Sequence, residues 1–139
     1  MPIAGFAFTK VSAERTDGKG TKIDIENNVS VKAIEEMELG VEKSGKKTLR
    51  FSFEFNSVFK KDFGSIVLAG DVLYLGEEKK AKEVLKLWKK DKKVDSELMP
   101  VIINTVLQKC NIEAILLSRE VGLPSPVPLP KVNVQQPIR

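Results

Sequence analysis

The chain has 139 residues, 42% apolar and 30% charged, with a net charge of +4 from 23 basic and 19 acidic side chains. That is one domain's length with enough apolar side chain for a core, which excludes wholesale disorder. Histidine is absent and Cys110 is the single cysteine, which excludes Ser-His and Cys-His nucleophile systems, an internal disulfide and any cysteine-cluster metal site.

Unbroken apolar runs such as Ile66 to Gly70 are far short of the roughly 20 residues of a transmembrane helix, so no membrane insertion is expected. The start, Met1-Pro2-Ile3-Ala4-Gly5, has no basic stretch leading into an apolar one, so no secretory signal is expected. One cysteine fits a reducing cytoplasm. Nothing in the composition calls for an enzyme, a metal or another cofactor, and the balance leans to a binding protein. A chain rich in Lys and Glu and poor in Gln also suits a thermophile.

In chain order, Ile3 to Thr16 reads as a first strand, closed by the turn signal Asp17-Gly18-Lys19-Gly20. Thr21 to Glu38 alternates: Ile23, Ile25, Val29, Val31 and Ala33 fall on a buried face, and Lys22, Asp24, Glu26, Asn28, Ser30 and Lys32 on a wet one. Asn27-Asn28 is the expected site of a bulge in this long strand. Leu39-Gly40 and Lys43 to Lys46 make the next turn. The third strand, Lys47 to Phe59, puts Leu49, Phe51, Phe53 and Phe55 on one face, with a parity slip expected at Ser57-Val58-Phe59. After a turn at Lys60 to Gly64, the fourth strand, Ser65 to Leu75, is apolar on both faces. A small sheet with such a strand needs a second cover, from helices on one side and a second subunit or a bound chain on the other.

The second half is helical. Glu77-Glu78 place acids in the first turn of a helix, where its dipole favours them, and Ala81, Val84, Leu85 and Trp88 form a stripe at i, i+3, i+4 and i+7. Lys90 to Val94 break it. Asp95 or Ser96 caps a second helix that carries Pro100 in its first turn and runs to Gly122, about 40 Å at ~1.5 Å per residue. Its apolar residues, from Met99 to Val121, cover more than one face, so part of it seeks a partner beyond one sheet. Pro124 to Arg139 holds five prolines and reads as an extended tail on a single domain of residues 1–123.

Four antiparallel strands, a short helix and a long helix before a proline-bearing tail give the order of elements in the SecB export-chaperone family. Leu98-Met99-Pro100 at the start of the long helix, Ser118-Arg119 near its end, Leu123-Pro124, and Leu129-Pro130-Lys131-Val132-Asn133-Val134 are similar to that family's C-terminal motifs. The chain thus resembles a SecB-like protein of a divergent archaeal or thermophilic branch, with a longer second helix and a basic charge where the family is acidic. The resemblance implies an α+β fold: a four-stranded antiparallel sheet with two C-terminal helices packed on one face. It also implies a homo-oligomer, a dimer or a tetramer made as a dimer of dimers, that binds unfolded or exported polypeptides without ATP.

The candidate lining residues of a client groove are Phe51, Phe53, Phe55, Phe59, Leu73 and Leu75. The plainer reading of the phenylalanines is the packed face of a strand, and of Ile66 to Leu75 an oligomer interface. Glu77 to Lys93 holds eight lysines against four acids; it is a solvated helix face or else binds an acidic partner, with a nucleic-acid-binding module as the rival function and a structural oligomer without a client as another. The run has no arginine to read bases, and Trp88 lies on the inward stripe. Gly18-Lys19-Gly20-Thr21 and Ser44-Gly45-Lys46-Lys47 lack the spacing of a phosphate loop and fall at hairpin positions. Cys110 reads as a small core residue.

Overall fold

The four alternating stretches become four antiparallel strands of one sheet, and the two stretches of helical spacing become two helices on one of its faces. The computed structural model describes residues 3–18, 23–38, 40, 45–60 and 62–127. Its elements are β1 (Ile3–Arg15), β2 (Ile25–Met37), β3 (Lys46–Phe59), β4 (Gly64–Glu77), α1 (Glu78–Asp91) and α2 (Met99–Glu120). The fold is α+β, as expected.

Strand order is β1-β4-β3-β2. β2, β3 and β4 form a meander and β1 returns beside β4, a Greek-key arrangement. The connection through Asp17 and Gly18 is therefore not a hairpin. It joins opposite edges of the sheet, about 14 Å apart at ~4.8 Å per strand. The flanks of this crossing are tied to the β3–β4 turn: Thr16 N–H donates to Phe63 O at 2.9 Å, Lys60 N–H donates to Asp24 O at 2.7 Å, and the Thr16 hydroxyl donates to the Asp62 carbonyl. Alternation reveals a residue's face but not its neighbouring strand, so the sequence reads this crossing as a hairpin. Lys19, Gly20, Thr21, Leu39, Lys43 and Ser44, which belong to the expected turns and phosphate-loop look-alikes, lie outside the described residues.

Two irregularities fall elsewhere than expected. The β2–β3 register runs unbroken through Asn27-Asn28 and shifts between Val31 and Ala33, so the extra residue is Lys32. The bulge flips parity, and Ile34, 5% exposed, enters the core in place of the next odd residue. β3 has no slip at its end: Ser57 keeps the core-facing parity, fully buried, and Val58 faces outward. The buried hydroxyl is satisfied because Ser57 Oγ donates to Asn27 Oδ1 at 2.6 Å. Asn27 Nδ2 in turn donates to Pro126 O at 2.9 Å, which fastens the start of the tail to β2. Residues 128–139 lie outside the described part.

α1 covers β2, β3 and β4, and α2 covers β4, β3 and β1. α1 buries Ala81 and Val84 and ends at Lys92, whose left-handed backbone (φ 54°) lets its N–H donate to Trp88 O at 2.9 Å. Asp95 Oδ2 accepts from the N–H of Glu97 and of Leu98, at 3.1 and 3.3 Å, in the turn leading into α2. Lys80 Nζ bridges to Asp95 and Glu97, both at 3.1 Å, and joins α1 to that turn. α2 spans about 33 Å at ~1.5 Å per residue. It buries Ile102, Val106, Cys110, Ala114 and Ser118, a seam of period four. Past its end, Gly122 (φ +72°) takes the left-handed turn that lets Leu123 N–H donate to Ser118 O at 2.8 Å.

The rest of α2 is apolar too. Ile112 is 59% exposed and Leu116 49%. By length and composition α2 is apolar enough to cross a membrane, with 28% of its most apolar stretch buried. The expectation of no such segment rested on unbroken apolar runs, and α2's few polar residues interrupt those runs without lowering the average much. A helix packed on one side in a core passes the same test.

Burial pushes the Cys110 thiol up to about 12, so thiolate is absent at ordinary pH. We expect a thiol reagent at pH 8 to label the folded protein only at its unfolding rate, and denatured protein within seconds to minutes. Rapid labelling of folded protein would contradict the packing described for α2.

Candidate functional site: an apolar groove at the β2 edge

The six lining candidates do not meet on one surface. Phe51, Phe53, Phe55 and Phe59 face the helices and are 0–2% exposed. Phe53 stacks on Phe6 at 5.3 Å and meets the edge of Phe8 at 6.4 Å, and Phe51 stands edge-on to Tyr74 at 6.4 Å. Their plainer reading, a packed strand face, is where the structure places them. Leu73 and Leu75 have the opposite parity and lie, half-buried, on the helix-free face with Val67 and Ala69. No second layer of this chain's described elements covers that face. Across β2 and β3 it is polar: Arg50 pairs with Glu35, and Ser52 Oγ donates to Asp71 Oδ1 at 2.9 Å.

An open apolar groove lies elsewhere, between β2 and the end of α1. It is a cavity of about 440 Å³ lined by Val29, Ser30, Val31, Trp88, Lys92, Lys93, Val94 and Met99. Val29 and Val31 keep the core-facing parity that the sequence gives them, but β2 is the last strand of the sheet and α1 covers them only in part. Trp88 ends the α1 stripe and is half-buried, so it forms the groove's wall instead of pointing fully inward. Lys92 Nζ sits 5.4 Å from the centre of the Trp88 ring, a cation–π contact. Met99, 41% exposed, closes the far side from the start of α2. As the edge strand among the described elements, β2 also turns every second pair of backbone N–H and C=O groups away from β3, where no described strand pairs with them.

The groove's chemistry is that of contact, with apolar walls, a strand edge that no described strand pairs with, and two lysines on the rim. It contains no carboxylate or thiol, and among the described residues no three His, Cys, Asp or Glu gather to hold a metal ion. The sequence signal for it was a weak one: Trp88 at the last stripe position before a helix stop, and valines on a strand whose edge position the sequence does not reveal.

No family model matches the chain, and no curated protein does. A solved structure does match, that of the Mycobacterium tuberculosis Rv1957 SecB-like chaperone in complex with a ChAD peptide from the Rv1956 HigA1 antitoxin. The likeness covers 99% of this chain and 92% of that one, at a TM-score of 0.52 and 10% identity. That protein is bacterial, and the likeness lends no support to an archaeal origin. That protein is described as a chaperone. At this identity the likeness speaks for architecture, and the architecture of this chain is SecB-like.

Proposed function

We propose that this chain is a SecB-like chaperone that binds unfolded or exported polypeptides without ATP, with the β2–α1 groove as a binding surface. The observation that carries the reading is the half-exposed apolar groove beside a strand edge left unpaired among the described residues. An extended segment can add to β2 through its backbone while alternate side chains enter the space between Val29, Val31, Trp88 and Met99. The SecB-like architecture and the peptide held by the similar chaperone support it. The proposal places the protein in the cytoplasm and assigns no cofactor. It also assigns the apolar surfaces left open, Leu73 and Leu75 on the sheet and Ile112 and Leu116 on α2, to a second copy in a dimer or tetramer.

The test is a variant that changes the groove and spares the core. Val29→Thr, Val31→Thr and Met99→Gln together keep β-branching on the strand and a long side chain on the helix. These half-exposed sites should cost about 1–2 kcal/mol of stability in all. Suppression of aggregation of a slow-folding client, at equimolar amounts, is expected to fall several-fold. If the wild type never slows that aggregation, the reading fails. Sedimentation at micromolar concentration should show a dimer or tetramer, and a 15.5 kDa species would remove the oligomer from the proposal.

A further inference from the structure

Lys86 to Trp88 to Lys93 carries five lysines and one acid, a local charge of +4 that equals the charge of the whole chain. Four cations on or beside the sheet have carboxylates across from them: Lys46 with Glu77, Lys47 with Glu36, Arg50 with Glu35, and Lys60 with Glu26. None of Lys86, Lys89, Lys90 and Lys93 has an ion pair among the described residues. Lys82, Lys86, Lys89 and Lys90 surround Leu85 in an open depression of about 490 Å³. Leu85, Trp88 and Lys89 stand at i, i+3 and i+4 on α1, so this depression borders the groove along the helix. Lys82 and Lys90 each stand four residues from Lys86, and like charges so spaced repel until an anion lies between them.

We infer that the lysine stripe of α1 selects acidic polypeptide segments and guides them into the adjoining groove. The inference rests on the polypeptide-binding reading above and narrows the clients to chains with carboxylates beside apolar residues. From Lys82 to Lys90 the stripe is about 12 Å long at ~1.5 Å per residue, the reach of about four extended residues. Leu85 and Trp88 along the path, and the edge of β2 beyond it, offer contacts that a peptide's side chains and backbone use. A phosphate backbone would use the lysines alone.

Trp88 is the single tryptophan, so its fluorescence reports binding. The probes are three short peptides with the same alternating leucines and valines and with Glu, Ser or Lys between them, plus a single-stranded oligonucleotide, at low and high salt. The Glu peptide is expected to bind the wild type ~10-fold or more tightly than the Lys peptide at low salt, with the gap narrowing as salt screens it. K86Q/K89Q/K90Q should abolish the preference and K86E/K89E/K90E should reverse it, each variant being checked for folding by circular dichroism. If either variant misfolds, the salt dependence of the wild-type preference decides. Equal binding of the three peptides by the wild type overturns the inference and leaves the groove reading standing. If no peptide binds, the polypeptide reading itself fails and the inference with it. An oligonucleotide bound more tightly than the Glu peptide at the same salt also overturns it, and assigns the stripe to nucleic acid.

Discussion

Phe55→Ala is expected to destabilise the protein by about 3–5 kcal/mol, the cost of removing a buried aromatic ring and leaving a cavity. Phe55 is 1% exposed, at the centre of a core that also holds Leu49, Phe51, Phe53, Leu68, Val72 and Ile102. It is paired with Val29 on one side and Leu68 on the other, so neither neighbouring strand can collapse into the gap without losing its own register. A loss of that size is a large share of the ~5–15 kcal/mol that holds an ordinary domain together. The denaturant midpoint of the purified variant is the measurement. A shift worth less than about 1 kcal/mol would mean that Phe55 stands at an open surface, contrary to the packing described. The same experiment on Phe51 and Phe53 should give the same answer.

Gly70→Ala is the second large effect, and its mechanism is different. A Cβ at Gly70 would lie 2.2 Å from the carbonyl oxygen of Ala7, 3.0 Å from Cα of Phe8 and 3.0 Å from the Phe53 ring. The first two contacts are backbone atoms of β1 and cannot swing aside. β1 has its extra residue, Thr9, just beyond Phe8, and the strand bends there against the bare face of the glycine. Alanine must push β1 off β4. Overpacking of this kind costs about 1–3 kcal/mol, and the damage should be confined to one strand. Hydrogen exchange of the amides from Phe6 to Lys10 should quicken far more than that of β3. Uniform acceleration across the sheet, or none, would show that β1 does not approach Gly70 so closely.

The sequence and the fold agree where one rule decides. Period two in Lys47 to Phe59 put Phe51, Phe53 and Phe55 on the core face because nothing in β3 disturbs the alternation. Helical spacing and the acids at Glu77-Glu78 located α1 to within a residue. Agreement stops where a residue's fate depends on a distant partner. Ser57 is buried because Asn27 receives its hydroxyl, and a polar residue at a core position looks locally like a break in the strand. Lys32 is the bulge because of how β2 meets β3, and no turn residue marks it. The groove was illegible for the same reason. Val29 and Val31 look like any buried pair until strand order places β2 at the edge, and Trp88 looks like core until the helix is seen to stop beside that edge.

Strand order also sets a timetable for synthesis. β1 leaves the ribosome before the other strands, yet its neighbour among the described strands is β4, which ends at Glu77. At ~5–20 residues per second, about 3–12 seconds separate the two. During that interval the Phe6 and Phe8 side chains have no sheet to pack on, while β2 and β3 can already form a hairpin. The nascent chain is then itself an unfolded polypeptide with an exposed aromatic strand, the kind of segment that finished copies of this protein are proposed to hold.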